Sequence, residues 1–576
     1  MVRNISGLNN IHFRSADKAP RSSVEQNKCT NSIKELSAVT PEFQVKMPIQ
    51  YTLLGVDKLQ NGLEIYNYKL SNGYKVTVVP MEDSPSVVKT YVNVGSMNET
   101  PDIKGISHFL EHMAFNGTNG EDGHIKLETG DSFKKIDNLG GWANASTNYA
   151  ITDYVNSAPL LDDTDLETQI KVLGAMTEDL KLSDKMIEKE KGPVCSEINM
   201  IMDDPKTIAM DQTVRTLFNI KNPADELVGG SVKHIKNLTK KDVTDYYNKY
   251  YTPDNINIVI TGNVDPNNVI ELISKNFISN RKSQGKRFDE KLTPISSTVR
   301  KDFQTDKANS AEIVLGFQGP RNQDVKEKVL YHIATAYLLS ETAGLNKNLR
   351  KYNTSINIGS EKISTNPNSP KLIYAGITTT DENSENVLNT VFSTIKHIKP
   401  ITDSELSRIK ENIKSERESN FEFSMSVNNL IGNSLLNGGL DLIKDYDAIL
   451  NDITPQEVNE AIKKYFDTNR AAITVVHPTK NNNTTFKGVE KRLPIREENI
   501  SVQTLDNNFN IGFYKTKTKN RTCDIKLITD TPYNKKAGVR DILNEIYQMG
   551  TIDYNEDEFN KLTESKNINI NSDRKS

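Results

Sequence analysis

Two histidines and a glutamate fall within one short stretch, Gly105-Ile106-Ser107-His108-Phe109-Leu110-Glu111-His112-Met113-Ala114-Phe115-Asn116-Gly117-Thr118. His108 and His112 are spaced i and i+4, so on a helix their imidazoles stand one above the other and could hold a single cation. The helix itself is legible. Ile106, Phe109, Leu110, Met113 and Ala114 recur at helical period as one apolar stripe that must face a core. Asn116-Gly117 supplies the stop signal. His108, Glu111, His112 and Phe115 fall on the opposite side. Two imidazole nitrogens with an anionic oxygen suit zinc, whose catalytic sites take three protein ligands and leave a fourth position for water. There the pKa of the water falls towards about 7, and an adjacent carboxylate can take its proton and pass it to a leaving amine. Glu111 is placed to be that base.

With Asn116-Gly117-Thr118 behind it, the stretch resembles the active-site helix of the pitrilysin/insulinase family of zinc metallopeptidases, whose His-x-x-Glu-His order reverses the commoner His-Glu-x-x-His. The resemblance implies one Zn2+ per chain and a second helix downstream carrying the third ligand. Ser183 to Met202 supplies such a helix, with Glu190 and Glu197 seven residues apart on one face. Matched to the family, Glu197 is the third ligand. Glu190 becomes the acid that steadies the site beside the catalytic Glu111; Glu188 is the alternative ligand. Two departures stand out: the separation of His112 from Glu197 is longer than usual, the surplus lying in Asn119 to Asp131, and Pro193 lies inside the proposed helix. Downstream of the motif, Gly140 to Tyr149 alternates like a strand. In the family this strand is an exposed edge to which an extended peptide adds by main-chain pairing. Asn144 and Ala145 match its Asn-Ala pair, and with Phe115 they are the expected substrate contacts. Ser146 stands where insulin-degrading members often carry an aromatic. Trp142, the only tryptophan, is expected in the core by its size.

These residues need elements to position them. From Tyr51 the pattern is that of paired strands: Tyr66 to Leu70, an Asn72-Gly73 turn, Tyr74 to Pro80, then Val87 to Val94. Phe133 to Leu139 reads as a helix. Internal repeats set the architecture. Leu238 through Ile260 aligns without gaps to Ile453 through Val475, an offset of 215 residues, each copy a capped helix ending in an aromatic pair and followed by a buried strand. Gly105 to Thr118 aligns in the same way to Gly538 to Thr551, where Asp541, Asn544 and Glu545 replace His108, Glu111 and His112. That third copy keeps the packing and lacks the metal face. The expected fold is α+β, in repeated domains that each pack a mostly antiparallel β-sheet with helices, one half of a pitrilysin-like clamshell. Its parts are a disordered or loosely attached extension 1–48, a catalytic zinc-binding domain 49–285, a second repeat 286–478 without a metal site, a polar linker 479–500 and a truncated third repeat 501–576.

Composition narrows the function. With 72 Lys and Arg against 76 Asp and Glu the net charge is -4, so nucleic acid has no basic surface to neutralise it and is not an expected partner. No apolar run reaches the roughly 18 residues of a membrane span. Three distant cysteines, Cys29, Cys195 and Cys523, fit neither a disulfide framework nor a thiolate zinc site. Cys195 reads as a packed helix residue, since nearby Glu197 disfavours a thiolate. His124, His234, His332, His397 and His477 lack ligand-spaced partners and read as structural or solvated. No secretory h-region precedes Tyr51, and Asp17, Glu25 and Glu35 argue against a transit peptide, so the cytoplasm is the expected compartment. The sequence therefore predicts a zinc-dependent endopeptidase acting on peptides or unfolded polypeptide segments, with a C-terminal half or homologous subunit as its candidate partner. The alternatives are a non-catalytic binding or assembly homologue and an inactive half that needs its partner.

Overall fold

The alternating segments after Tyr51 pair into a seven-stranded sheet. The computed structural model describes residues 49–479 apart from 163, 221–227 and 289–291, and beyond them 500–504, 510–514 and 558. Its first strands are β1 (Tyr51–Lys58), β2 (Glu64–Leu70), β3 (Lys75–Pro80) and β4 (Ser86–Val92). The expected hairpin joins β2 to β3 through Asn72-Gly73. Gly73 sits at φ 121°, where a side chain is strained, and the Leu70 N–H donates to the Tyr74 carbonyl at 2.9 Å. Then come β5 (Trp142–Thr147), β6 (Thr152–Ala158) and β7 (Ile256–Gly262), giving the order β1-β2-β3-β7-β4-β6-β5. Only β3 and β7 run parallel; the other neighbours are antiparallel.

A second sheet repeats this plan. Its strands are β8 (Val299–Thr305), β9 (Ala311–Arg321), β10 (Ile356–Glu361), β11 (Pro370–Thr379) and β12 (Ala472–Pro478), in the order β10-β11-β9-β12-β8. Read from β8, that order is the order of the first sheet read from β3, with β12 again parallel to the strand on one side and antiparallel on the other. The aligned repeat supplies the equivalent pieces. Thr239 and Thr454 cap helices Lys240–Tyr250 and Pro455–Tyr465 in capping boxes closed by Asp242 and Glu457. Both helices end in buried aromatics, Tyr250 and Tyr251 in one, Tyr465 and Phe466 in the other, before β7 and β12.

The halves exchange helices. Pro205–Leu217, from the first half of the chain, lies on β9 and β12, while Ser424–Leu436, from the second, lies on β7 and β4. Thr213 and Asn428, 215 residues apart, anchor them. Thr213 donates to the Ala209 carbonyl at 2.7 Å and lies 2.8 Å from the Thr474 hydroxyl; Asn428 donates to the Val87 and Val259 carbonyls at 3.2 and 2.9 Å. Tyr91 completes the second contact by donating to the Asn428 carbonyl at 3.0 Å, and its ring fills the space a Cβ on Gly432 would take.

The extension 1–48, nearly all of linker 479–500 and the third-repeat segment Gly538 to Thr551 lie outside the described residues. At the start of 501–576 the structure describes one antiparallel pair, β13 (Ile500–Thr504) with β14 (Asn510–Tyr514).

Two outcomes follow from this packing. In an ordinary helix Gly→Ala gains about 1 kcal/mol, but a Cβ on Gly432 would lie 2.1 Å from the Tyr91 ring. Gly432→Ala should therefore lower stability by roughly 1–3 kcal/mol in denaturant unfolding, the ordinary range for overpacking; a gain would refute the contact. His477, at the end of β12, lies 2.6 Å from Asp381 and 3.1 Å from Asp302. Burial works against its charge, but the two carboxylates outweigh it and raise the pKa. Its contribution is thus complete below the unfolded value of about 6.5 and fades as pH rises through the higher folded value. His477→Gln should lower the unfolding temperature more at pH 6 than at pH 9, and equal losses would exclude this linkage.

Candidate active site

The motif helix runs from Ile106 to Ala114, and Ile106, Phe109, Leu110 and Met113 are wholly buried against the sheet. A second helix, Asp184–Met202, starts at Ser183, whose hydroxyl accepts from the Met186 N–H, and continues past Pro193 without ending there. It buries Ile187, Val194, Cys195 and Ile198 towards the same core. Because both helices turn apolar stripes inward, their polar faces meet.

At that meeting His108 Nε2 and His112 Nε2 are 3.3 Å apart. Glu197 reaches both, with Oε1 3.6 Å from His108 Nε2 and Oε2 3.0 Å from His112 Nε2. Donors bound tetrahedrally at about 2.0–2.1 Å from zinc stand roughly 3.3–3.4 Å from one another, so one ion would fit among the three with little movement. Among the described residues this is the one group of three or more His, Cys, Asp or Glu side chains spaced to hold a metal. Hydrogen bonding from His108, reinforced by the charge of both imidazoles, holds the Glu197 carboxyl below the usual range, the ionised state a ligand needs.

Glu190 sits one layer back. It lies 3.1 Å from His112 Nδ1 and accepts from the Asn116 amide at 2.6 Å, fixing the orientation of that imidazole. His108 Nδ1, by contrast, is buried with no hydrogen-bond partner among the described residues. Glu188 turns outward to Lys191 at 2.6 Å and stays out of the cluster. Cys195 is buried, and burial raises its thiol pKa.

Glu111 lies on the same helix face as the imidazoles, with burial raising its pKa against the pull of Thr147 and both histidines. The Thr147 hydroxyl donates to Glu111 Oε2 at 2.6 Å. Thr147 belongs to no motif; the alternation of β5 is its only sequence signal, placing it two residues beyond Ala145 on the side facing the motif helix.

β5 ends the order of its sheet, so among the described residues it is an edge. Ala143 and Ala145 pack inward, whereas Asn144 is exposed and accepts from the Ala145 N–H at 2.9 Å. Ser146 donates to Asp153 at 2.8 Å. Trp142 is not core: it is 46% exposed, because the period of the strand puts it on the outer face of an edge, and that placement overrides its size. Phe115, at the end of the motif helix, stacks on Phe133 with ring centres 4.5 Å apart. Phe133 is a neighbour that spacing did not single out. No helix among the described residues is long and apolar enough to cross a membrane.

The family model described as Insulinase (Peptidase family M16) matches residues 77–230, and one described as Peptidase M16 inactive domain matches residues 237–413. The chain is 26% identical over 434 residues to Zinc protease PqqE of Helicobacter pylori, covering 71% of this chain and 92% of that protein. It is 24% identical over 429 residues to cytochrome b-c1 complex subunit 1 of Rattus norvegicus, covering 71% and 86%, so proteins named for a respiratory complex share the similarity. Among solved structures, a protease from Helicobacter pylori superposes with TM-score 0.62 at 21% identity, over 75% of this chain and all of that one. Pitrilysin superposes with TM-score 0.58 at 18% identity, over 76% of this chain and 48% of pitrilysin. The solved structures show the fold of a pitrilysin-like half, and the two family models, which together match residues 77–230 and 237–413, place the chain in the insulinase/pitrilysin family of M16 peptidases.

Proposed function

We propose that the protein is a zinc-dependent endopeptidase that cleaves extended peptides or unfolded polypeptide segments. The observation that carries this reading is the convergence of His108, His112 and Glu197 within 3.0–3.6 Å, with Glu111 on the same helix face. His108, His112 and Glu197 would hold the ion, which when bound supplies a Lewis acid for the scissile carbonyl and its attacking water. Glu111 takes the proton of that water and delivers it to the leaving amine nitrogen. Thr147 engages one oxygen of Glu111 and so restrains the rotation of that carboxylate. Glu190 keeps His112 oriented and touches no reacting atom, so its part is positioning. The β5 edge receives the peptide backbone beside Asn144 and Ala145, and the stacked Phe115 and Phe133 form an apolar wall for a substrate side chain.

A second half closing over this face would complete a clamshell. Support comes from the chain matching the first half of PqqL of Escherichia coli over 93% of that half, and the whole of PqqL over 57%. The relative named as a cytochrome b-c1 subunit keeps a non-catalytic assembly role as the competing reading.

Zinc content and cleavage of an unstructured fluorogenic peptide, with 1,10-phenanthroline as control, separate these readings. The expected result is one zinc per chain and chelator-sensitive cleavage. Bound zinc without cleavage would favour a half that needs its partner, and absence of zinc would favour the assembly role. Glu111→Gln should keep the metal and lose at least about 100-fold in kcat, the lower range for removing a general base. Glu197→Gln should instead lose the metal, seen as stoichiometry well below one; full occupancy would move the third ligand elsewhere.

A further inference from the structure

The motif helix has no cap of its own. Its nine residues are too few to persist as an isolated helix. Gly105 occupies the N-cap in the left-handed region at φ 89°, with no side chain to accept the first free N–H groups. Another residue cannot take its place, since a Cβ there would lie 2.2 Å from the Gly229 carbonyl oxygen.

The missing acceptor comes from outside the helix. Glu99 is fully buried, and its carboxylate accepts the Gly105 N–H through Oε2 and the Ser107 N–H through Oε1, both at 2.8 Å. A carboxylate spanning two amides at the positive end of a helix restrains both its rotation and its depth. His108 follows Ser107 directly, and Glu111 and His112 follow within the next turn. Glu99 is itself anchored. Asn98, its neighbour, donates to the Phe288 carbonyl at 3.0 Å, and Arg287 donates to Asn98 Oδ1 at 3.0 Å, so the residues leading into the second half of the chain brace this corner. Burial pushes the Glu99 pKa up to about 7, with Lys104 and the two amides acting in the opposite direction.

We propose that Glu99 is the positioning residue of the metal-binding helix: by clamping the Gly105 and Ser107 amides it sets the angle at which His108, His112 and Glu111 face their common point. This rests on the zinc reading above. Glu99 holds the start of the helix through the Gly105 and Ser107 amides and the Ser107 side chain.

The test uses the full chain loaded with Co2+ in place of zinc, comparing the parent with Glu99→Gln and Glu99→Asp. The readouts are visible d–d absorption, cobalt affinity by chelator competition, kcat and KM, and the unfolding temperature. Glu99→Gln keeps the volume but turns an NH2 towards one amide. It should weaken cobalt binding about tenfold or more, as loss of an outer support does, shift the absorption bands, and lower kcat with little change in KM. A folded Glu99→Gln chain with the affinity and spectrum of the parent would overturn the inference, even at a lower unfolding temperature. Should that variant not fold, Glu99→Asp decides, because it keeps the charge but is too short to span both amides: weaker cobalt binding supports the clamp and unchanged binding overturns it. A parent chain that takes up no cobalt would overturn the metal reading itself, separately from any difference between variants.

Discussion

Donor atoms of three side chains from two helices, His108, His112 and Glu197, converge within 3.0–3.6 Å of one another, and this convergence depends on the packing of the first half of the molecule. On one helix the i, i+4 spacing settles the relation of His108 to His112 without help from the rest of the chain. The third atom belongs to Glu197, and only packing can bring it there. The contact holds because each helix buries its apolar stripe completely, leaving neither free to rotate. Glu190 then crosses from the second helix to His112, and Asn116 from the first helix to Glu190, so the polar faces are tied where they meet.

The repeated halves explain why so small a site rests on so large a frame. Their sheets share one strand order, and each half lays a helix on the sheet of the other. Separating them would uncover apolar faces on both sides and break the hydrogen bonds of Asn428 and Tyr91. The exchange is not side-chain symmetric. In one contact a large ring, Tyr91, meets Gly432; in the other the Thr213 methyl lies where a Cβ on Gly316 would be. Divergence has redistributed volume while keeping the backbone arrangement, as close packing requires.

The loop after the motif helix is fastened by its own contacts. Asp179 accepts the Gly120 and Glu121 N–H groups at 2.7 and 3.1 Å, and His124 reaches the buried Glu178 at 3.0 Å. His124, isolated in the sequence, is thereby a structural histidine. The same is true of His477, which is bracketed by two aspartates.

What the sequence determined by itself is local. The motif helix, the Asn72-Gly73 hairpin, the β5 alternation and the two capped repeat helices each follow from spacing, caps and turn chemistry within a few residues, where the backbone leaves few options. The preference for Glu197 over Glu188 came from resemblance, because both lie on one helix and periodicity does not say which face turns inward. Only the tertiary structure shows which one faces the imidazoles: Glu197 lies beside both, while the exposed Glu188 pairs with Lys191. It also moved Trp142 to the outside of an edge strand, since residue size predicts burial only where a neighbouring layer exists to cover it. Thr147 beside Glu111, Phe133 beside Phe115 and Glu99 beneath Gly105 were invisible for one reason. Each acts across a contact between separate elements, and no local period records which elements will touch.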